Sequence, residues 1–559
     1  MNDIRRTILW VIFGFSMVLL WDKWQVHNGK QATFFPAPVT TPVAAPATPV
    51  TSGASTVPSS APASVNPNQV PGAAAPAIAR QNVQVATDVL ALTFDTQGGT
   101  LKHAEMRQYA DMADKTKSFV LFDESAQRMY KAESGLIGGS FPNHTTPMQL
   151  MPGATTLQDG QDTLQIRFES AELGGVKLAK TYTLRRGAYD IAVKHEVVNA
   201  GTSAINPQLY VQLARDGNAP PGESSMYSTF TGPAVYTEAK KYQKVAFKDI
   251  ENGKAEFEKA SANGYVAMVQ HYFASAWLLA DGMQRDIFAR KVSDNFYAVG
   301  MITPLGTVEP GQSKSVDARL FAGPQLEKTL EALAPGLELV KDYGWLTIMA
   351  KPLYWLLDKI HSLLGNWGWS IVGLVLVLKI LFYWLNAKAY ASMAKMKAIN
   401  PKIMEMRERL KDKPQQMQQE MMRIYREEKV NPMGGCLPII IQIPVFIALY
   451  WVLLSSVEMR NAPWIGWIKD LSSPDPFFIL PVLMTLSSLL QTALNPAPPD
   501  PMQAKMMWIM PLMFSVMFFF FPAGLVLYWL TNNLLSIAQQ WLINTRMGVP
   551  PQFNLPKFK

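Results

Sequence analysis

The chain has 559 residues and a formal net charge of +8, too long for one hydrophobic core and therefore expected to hold two or more folding units. Residues 1–341 carry 31 basic and 31 acidic side chains, whereas residues 342–559 carry 20 and 12. The whole excess lies among long apolar runs, which points to a membrane protein with basic cytoplasmic loops and away from a DNA-binding protein.

Arg5 and Arg6 precede the apolar stretch TILWVIFGFSMVLLW. A charged region before an apolar run reads as a signal peptide or an uncleaved anchor. No small-x-small cleavage site follows directly, so residues 1–29 are expected to form an N-terminal signal-anchor span. Residues 30–80 are dominated by Pro, Ala, Thr and Ser and read as a disordered, extended linker. Residues 81–335 change character. VQVATDVLALTF, LQIRFES, VKLAKTYTL and YDIAVKHEVVN alternate apolar and polar side chains between turn residues, as an antiparallel β-sandwich requires. GTVEPGQS lacks the lysine of a phosphate loop and reads as a Pro310-Gly311 turn. One cysteine, Cys436, excludes an intrachain disulfide, so an exported domain holds together by its core alone.

Residues 343–365 mix aromatics, leucines and a few charges and read as an amphipathic helix in the membrane interface. Apolar segments follow at 367–385, 436–454, 476–493, 506–521 and 522–543. With the anchor they make six spans. Residues 387–432 hold eleven Lys and Arg, so that loop is placed in the cytoplasm. Alternation then puts both termini and the 544–559 tail inside, and the β-domain outside the inner membrane.

Lys379 sits near the middle of SIVGLVLVLKILFYWLN. A central lysine costs a membrane helix about 2.5–3.5 kcal/mol on translocon scales, so it needs a partner, water or a task. Tyr383 and Asn386 follow it at i+4 and i+7. Gln442 lies at a similar depth in the next span. Thr485, Ser487, Ser488, Gln491 and Thr492 occupy only the inner half of theirs. Asn532, Ser536 and Gln539 share a face of the last, with Asn533 beside them. Spans that turn polar only toward the cytoplasm suggest a water-filled groove open to that side. The alternatives are interhelical packing for each polar residue and snorkelling for Lys379. Ile443 and Phe446 of the 436–454 span, with Met510 and Phe514 of the 506–521 span, are candidate apolar faces beside that groove.

Residues 387–430 read as a helical hairpin broken at Lys411–Pro414. One surface is basic, including Arg407 and Arg409. Another is rich in methionine, including Met404, Met421 and Met422, which suits binding of varied apolar sequences or packing within the hairpin. Its charge also suits anionic lipid or ribosomal RNA.

NPMGGCLPIIIQIPVFIALYWVL, DPMQAKMMWIMPLMFSVMFFFFPAGLVLYWLTNNLLSIAQQ and SMAKMKAINPKIMEMRERL resemble the YidC/Oxa/Alb membrane insertase family of the Gram-negative type. The resemblance extends to the order of anchor, linker and β-domain. It implies a polytopic α-helical membrane core with five spans in the insertase bundle, plus a periplasmic all-β supersandwich similar to galactose-mutarotase folds. It implies nascent membrane proteins as clients, cooperation with SecYEG and SecDF, and contact with the ribosome or targeting factors at the hairpin and tail. It implies no enzymatic reaction, cofactor or metal. The family's groove usually carries an arginine where Lys379 stands. Arginine keeps its charge, whereas a desolvated lysine can lose its proton.

Three other readings stay open at this point. An intramembrane Ser/Lys protease would pair Lys379 with Ser370, nine residues away on the same helix. A solute transporter would show internal repeats, and none is evident. A mutarotase site in the β-domain would draw on His103, His144, His195 and His271, whose spacing gives no cluster.

Overall fold

A computed structural model describes residues 80–112, 114–221, 229–410, 413–428, 437–495 and 501–546, with 548 and 553. The expected anchor, nearly all of the linker and most of the tail lie outside the described residues. The chain divides into two compact units that meet in sequence between Lys341 and Asp342.

The first unit is a sandwich of two nine-stranded sheets in which every paired strand is antiparallel. In one sheet Gln208–Asp216 lies between Met129–Ile137 and Phe296–Pro304. In the other Asp190–Asn199 lies between Val176–Arg185 and Ser313–Pro324. Period two decides the core. Leu164, Ile166 and Phe168 of one strand point inward, while Thr163 and Gln165 stay exposed. Three of the four sheet edges are short, at Met148–Leu150, Lys241–Lys244 and Ala260–Ser261, which leaves little template for edge pairing. Two short helices, α1 (Phe247–Glu251) and α2 (Glu327–Leu333), complete the unit. Gly311 has φ 75°, and Gln312 N donates to Glu309 O at 3.0 Å, so the Pro310-Gly311 sequence is a tight turn.

Polar side chains tie the sheets together across the core. Trp277 Nε1 donates to Gln212 O at 3.0 Å, and Tyr182 Oη donates to Gly99 O at 2.7 Å. Lys180 Nζ is fully buried and donates to Gly98 O at 2.6 Å and Ser134 O at 2.7 Å. Gly98 adopts φ 71°, and a Cβ there would fall 2.2 Å from His144 O, so this turn admits only glycine.

The second unit is helical. In α3 (Thr347–Leu364) the buried side chains Ala350, Leu353, Tyr354 and Leu357 recur at helical spacing, while Ile348, Trp355 and Leu363 are exposed. Tyr354 Oη donates to Glu458 Oε1 at 2.6 Å and pins this helix to a loop. Asn366 caps α4 (Trp367–Leu381) by accepting from Trp369 N at 3.0 Å. The chain then turns by 69° at Phe382 into α5 (Tyr383–Arg409). The continuous 367–385 span expected from hydropathy is therefore broken near its C-terminal end.

Helix α6 (Pro414–Glu427) starts with Pro in its first turn, where no backbone donor is lost, and folds back on α5. Ile399, Ile403 and Met406 form a small core with Met396, Met417, Met421 and Ile424. The remaining helices are α7 (Leu437–Ser455), α8 (Ile479–Leu494), α9 (Pro501–Phe518) and α10 (Ala523–Arg546). Leu357, Ile371, Leu374, Val452, Met484 and Val526 are part of one apolar core shared by α3, α4, α7, α8 and α10. The loop before α8 closes the structure. Ala523 N donates to Ser473 O and Gly524 N to Leu471 O, satisfying the first donors of α10. Among the described residues no single helix is long and apolar enough to cross a membrane; α4 and the first half of α5 pass together as a bent pair.

Candidate functional site

Helices α4, α5, α7, α8, α9 and α10 line an open cavity of about 550 Å³. Its lining has two characters. Lys379, Asn386, Gln442, Gln491, Asn532 and Asn533 bring polar groups from α4, α5, α7, α8 and α10. Ile443, Phe446, Met510, Phe514 and Phe518 bring apolar surface from α7 and α9. An amphipathic guest would meet both at once.

The polar side is organised by hydrogen bonds between helices. Lys379 is half-buried and donates to Ser536 Oγ at 2.6 Å, and the Ser536 hydroxyl donates to Asn532 O at 2.7 Å. Among the described residues no carboxylate acts on the lysine. Gln442 Nε2 donates to Asn386 Oδ1 at 3.0 Å, and Asn386 Nδ2 donates to Gln539 Oε1 at 3.2 Å. Asn533 Nδ2 donates to Ser488 Oγ at 2.9 Å and Ser487 Oγ at 3.2 Å. Each such bond between membrane helices contributes about 0.6 kcal/mol on average, so their value lies in placing groups rather than in bulk stability.

Ten of the thirteen groove and slide residues expected from sequence line this cavity. Ser536 and Gln539 stand behind it as partners of lining residues. Tyr383 does not line it and is exposed, because the chain turns at Phe382 and the straight-helix stripe ends there. Sequence reasoning missed Tyr528 and Trp529 as lining residues, although Trp529 precedes Asn532 by three and Asn533 by four on one helical face. Asn495 was also missed; it stands just past the last apolar turn of α8.

Ser370 is fully buried, and its hydroxyl donates to Asn366 O at 2.7 Å. It is no partner for Lys379, so the protease pairing has no geometry. In the hairpin, Met404 and Met422 are exposed and Arg409 faces solvent, whereas Arg407 is half-buried and Met421 packs against the internal core. In the β-sandwich, His144 and His195 are buried and do not open to solvent.

Residues 82–356 match the YidC periplasmic domain family and residues 359–549 match the 60Kd inner membrane protein family. A relative from Cupriavidus metallidurans, named membrane protein insertase YidC, is 56% identical over 98% of both chains. Another of that name from Ralstonia nicotianae is 57% identical over the same shares. A solved structure described as an active YidC insertase with its first transmembrane domain resolved is 19% identical, covers 82% of this chain and 91% of its own, and has a TM-score of 0.37. The β-sandwich, the helical unit and the family matches define a bacterial inner-membrane protein with a periplasmic domain. More narrowly, the chain belongs to the YidC family of membrane protein insertases, whose members are insertases and chaperones rather than enzymes.

Proposed function

We propose that the chain inserts nascent membrane proteins by receiving a client's polar tail in the Lys379–Gln442–Asn532 cavity from the cytoplasmic side. The hairpin of α5 and α6 receives the emerging segment. The tail is held briefly by Lys379, Gln442 and Asn532, while the apolar part passes along Ile443, Phe446, Met510 and Phe514 into lipid. A polar pocket inside the membrane shortens the hydrocarbon path of the tail and lowers the cost of moving unsatisfied polar groups. Burial of the apolar segment drives the step. The membrane potential adds about 2.3 kcal/mol per charge per 100 mV for an acidic tail moving outward.

The observation that carries this reading is the two-sided lining, in which a cation and six amides share one cavity with apolar side chains of α7 and α9. In the accompanying topology, six spans leave both termini in the cytoplasm, as the eleven basic residues of 387–432 favour. SecYEG and SecDF are the proposed partners for larger clients, and the ribosome or targeting factors are proposed at the hairpin and tail, on the family resemblance.

The test is insertion of a small acidic-tailed membrane protein after depletion of the native chain. Lys379→Ala is expected to slow insertion and Lys379→Glu to slow it further, with Ser370→Ala active. Full insertion by Lys379→Glu would remove electrostatic capture from the scheme.

A further inference from the structure

The polar side of the cavity is wired to the base of the cytoplasmic hairpin. Asn386 lies in the first turn of α5, directly after the 69° turn, and is almost wholly buried. Its carbonyl oxygen takes the Gln442 amide from the cavity wall, and its own amide goes to Gln539 of α10. One turn further along α5, the Tyr390 hydroxyl reaches Ser536. Ser536 is the acceptor that holds the Lys379 ammonium. Asn386 and Tyr390 are four residues apart on α5, and Ser536 and Gln539 are three apart on α10, so two ties run side by side between facing helix surfaces. Each tie joins a group that lines the cavity to a residue at the root of the hairpin.

We propose that Asn386 and Tyr390 are positioning residues that report cavity occupancy to the hairpin. This rests on the reading of the cavity as the client-tail site. A carboxylate entering the cavity competes for the two donors that share partners with these ties, the Lys379 ammonium on Ser536 and the Gln442 amide on Asn386. Lys379 leaves Ser536 and Gln442 leaves Asn386. The root of α5 then keeps fewer fixed contacts, and the hairpin swings about Phe382. Linkage makes the effect reciprocal: a hairpin pulled away from the core takes Asn386 from Gln442, leaves that amide free and raises the cavity's affinity for an acidic tail. A ligand that contacts neither donor has no differential affinity for the two hairpin positions and does not move it.

The experiment uses the full chain in lipid nanodiscs with Cys436→Ser and paired spin labels at Met404→Cys and Trp541→Cys, two exposed positions on α5 and α10. The probe is a single-span client with an acidic N-terminal tail; the comparison client carries amides in place of the tail carboxylates. The acidic client is expected to broaden and lengthen the distance distribution, and the amide client to leave it narrow. Asn386→Leu with Tyr390→Phe is expected to be broad before any client is added and to respond no further. An unchanged wild-type distribution, with insertion of the same client still dependent on Lys379, overturns the coupling and leaves the cavity reading standing. Insertion indifferent to Lys379→Glu removes the cavity reading itself. A narrow distribution in the double variant also overturns the proposal.

Discussion

The ammonium of Lys379 donates to the hydroxyl of Ser536 at 2.6 Å, joining α4 to α10 across 157 residues of sequence. The cation at the cavity wall is thus held by a neutral group that an incoming carboxylate can replace.

Replacing Lys379 by Arg keeps a cation and is expected to preserve insertion of an acidic-tailed client. Lys379→Glu is expected to reduce it at least about tenfold, equivalent to ~1.4 kcal/mol. A neutral-tailed client should lose much less. Ser536→Ala removes only a neutral acceptor, worth about 0.5–1.5 kcal/mol to the fold, and is expected to leave the insertion rate within a few-fold. Protease protection of the translocated tail measures all four.

Lys180 gives the β-sandwich an alkaline signature. Burial pushes its ammonium down from 10.5 to about 7, against a smaller opposing pull from Glu133. Between these values the unfolded chain binds the proton and the folded chain does not, so stability rises with pH from about 7 to 10.5. Lys180→Met is expected to flatten that limb by one proton, about 1.4 kcal/mol per pH unit. Urea unfolding of the full chain, followed by exchange protection of the strand Val176–Arg185, reads the slope.

His195 contributes to the acid limb, in the same sense as buried His144, whose imidazole burial also lowers. Burial, and then the nearby Lys180, lower its imidazole from 6.5 to about 3, while Nε2 contacts Ser134 Oγ at 2.9 Å. As pH falls through that window the unfolded chain takes up a proton that the folded chain refuses, and stability is lost. Buried Glu133 acts in the same sense at lower pH: burial raises its carboxyl, but His144, Lys131 and the Gln212 amide together outweigh this and leave it below the usual range. His195→Gln is expected to remain more stable than its own neutral-pH reference predicts between pH 6 and 4. An unaltered acid slope would exclude His195 as the titrating group.

Asp475 is almost fully buried and accepts from Trp467 Nε1 at 2.9 Å, Phe477 N at 3.0 Å and Leu480 N at 2.7 Å. It organises the loop that starts α8. Asp475→Ala strands buried donors and should cost about 1–3 kcal/mol, whereas Asp475→Asn keeps an acceptor oxygen and should cost less. The thermal midpoint of the purified full chain separates the two.

Ile403 and Met404 are neighbours with opposite surroundings, one in the hairpin's internal core and the other exposed. Ile403→Ala is expected to raise hydrogen exchange throughout α5 beyond Met396 and in α6, with a local cost of about 2–5 kcal/mol. Met404→Ala should leave exchange unchanged, so a loss of client crosslinking there reports contact rather than folding.

The sandwich was legible because its signal is local. Each short alternating segment states which side chains face inward, and pairing in two antiparallel sheets follows from burying those faces. The polar halves of α8 and α10 were legible for the same reason. Tyr383 was misplaced because periodicity assumes a straight axis, and nothing in LKILFYWLN announces a 69° turn. Nor does any local pattern pair Lys379 with Ser536, or set Trp529 against Phe446 and Phe518. Those relationships belong to packing between distant segments. Mixed roles among the hairpin methionines were also beyond composition, since Met421 and Met422 are adjacent yet face opposite environments.

The interruption at Phe382 leaves α4 only 15 residues long, and α8 has 16. At 1.5 Å per residue these rods rise about 22–24 Å, whereas a bilayer's oily layer measures roughly 30 Å. Such a mismatch is met by thinning of the neighbouring lipid, by snorkelling of flanking side chains or by association with further helices. Placed across a bilayer, these two walls are expected to pinch the lipid beside them, so that a segment leaving sideways enters hydrocarbon thinner than the bulk.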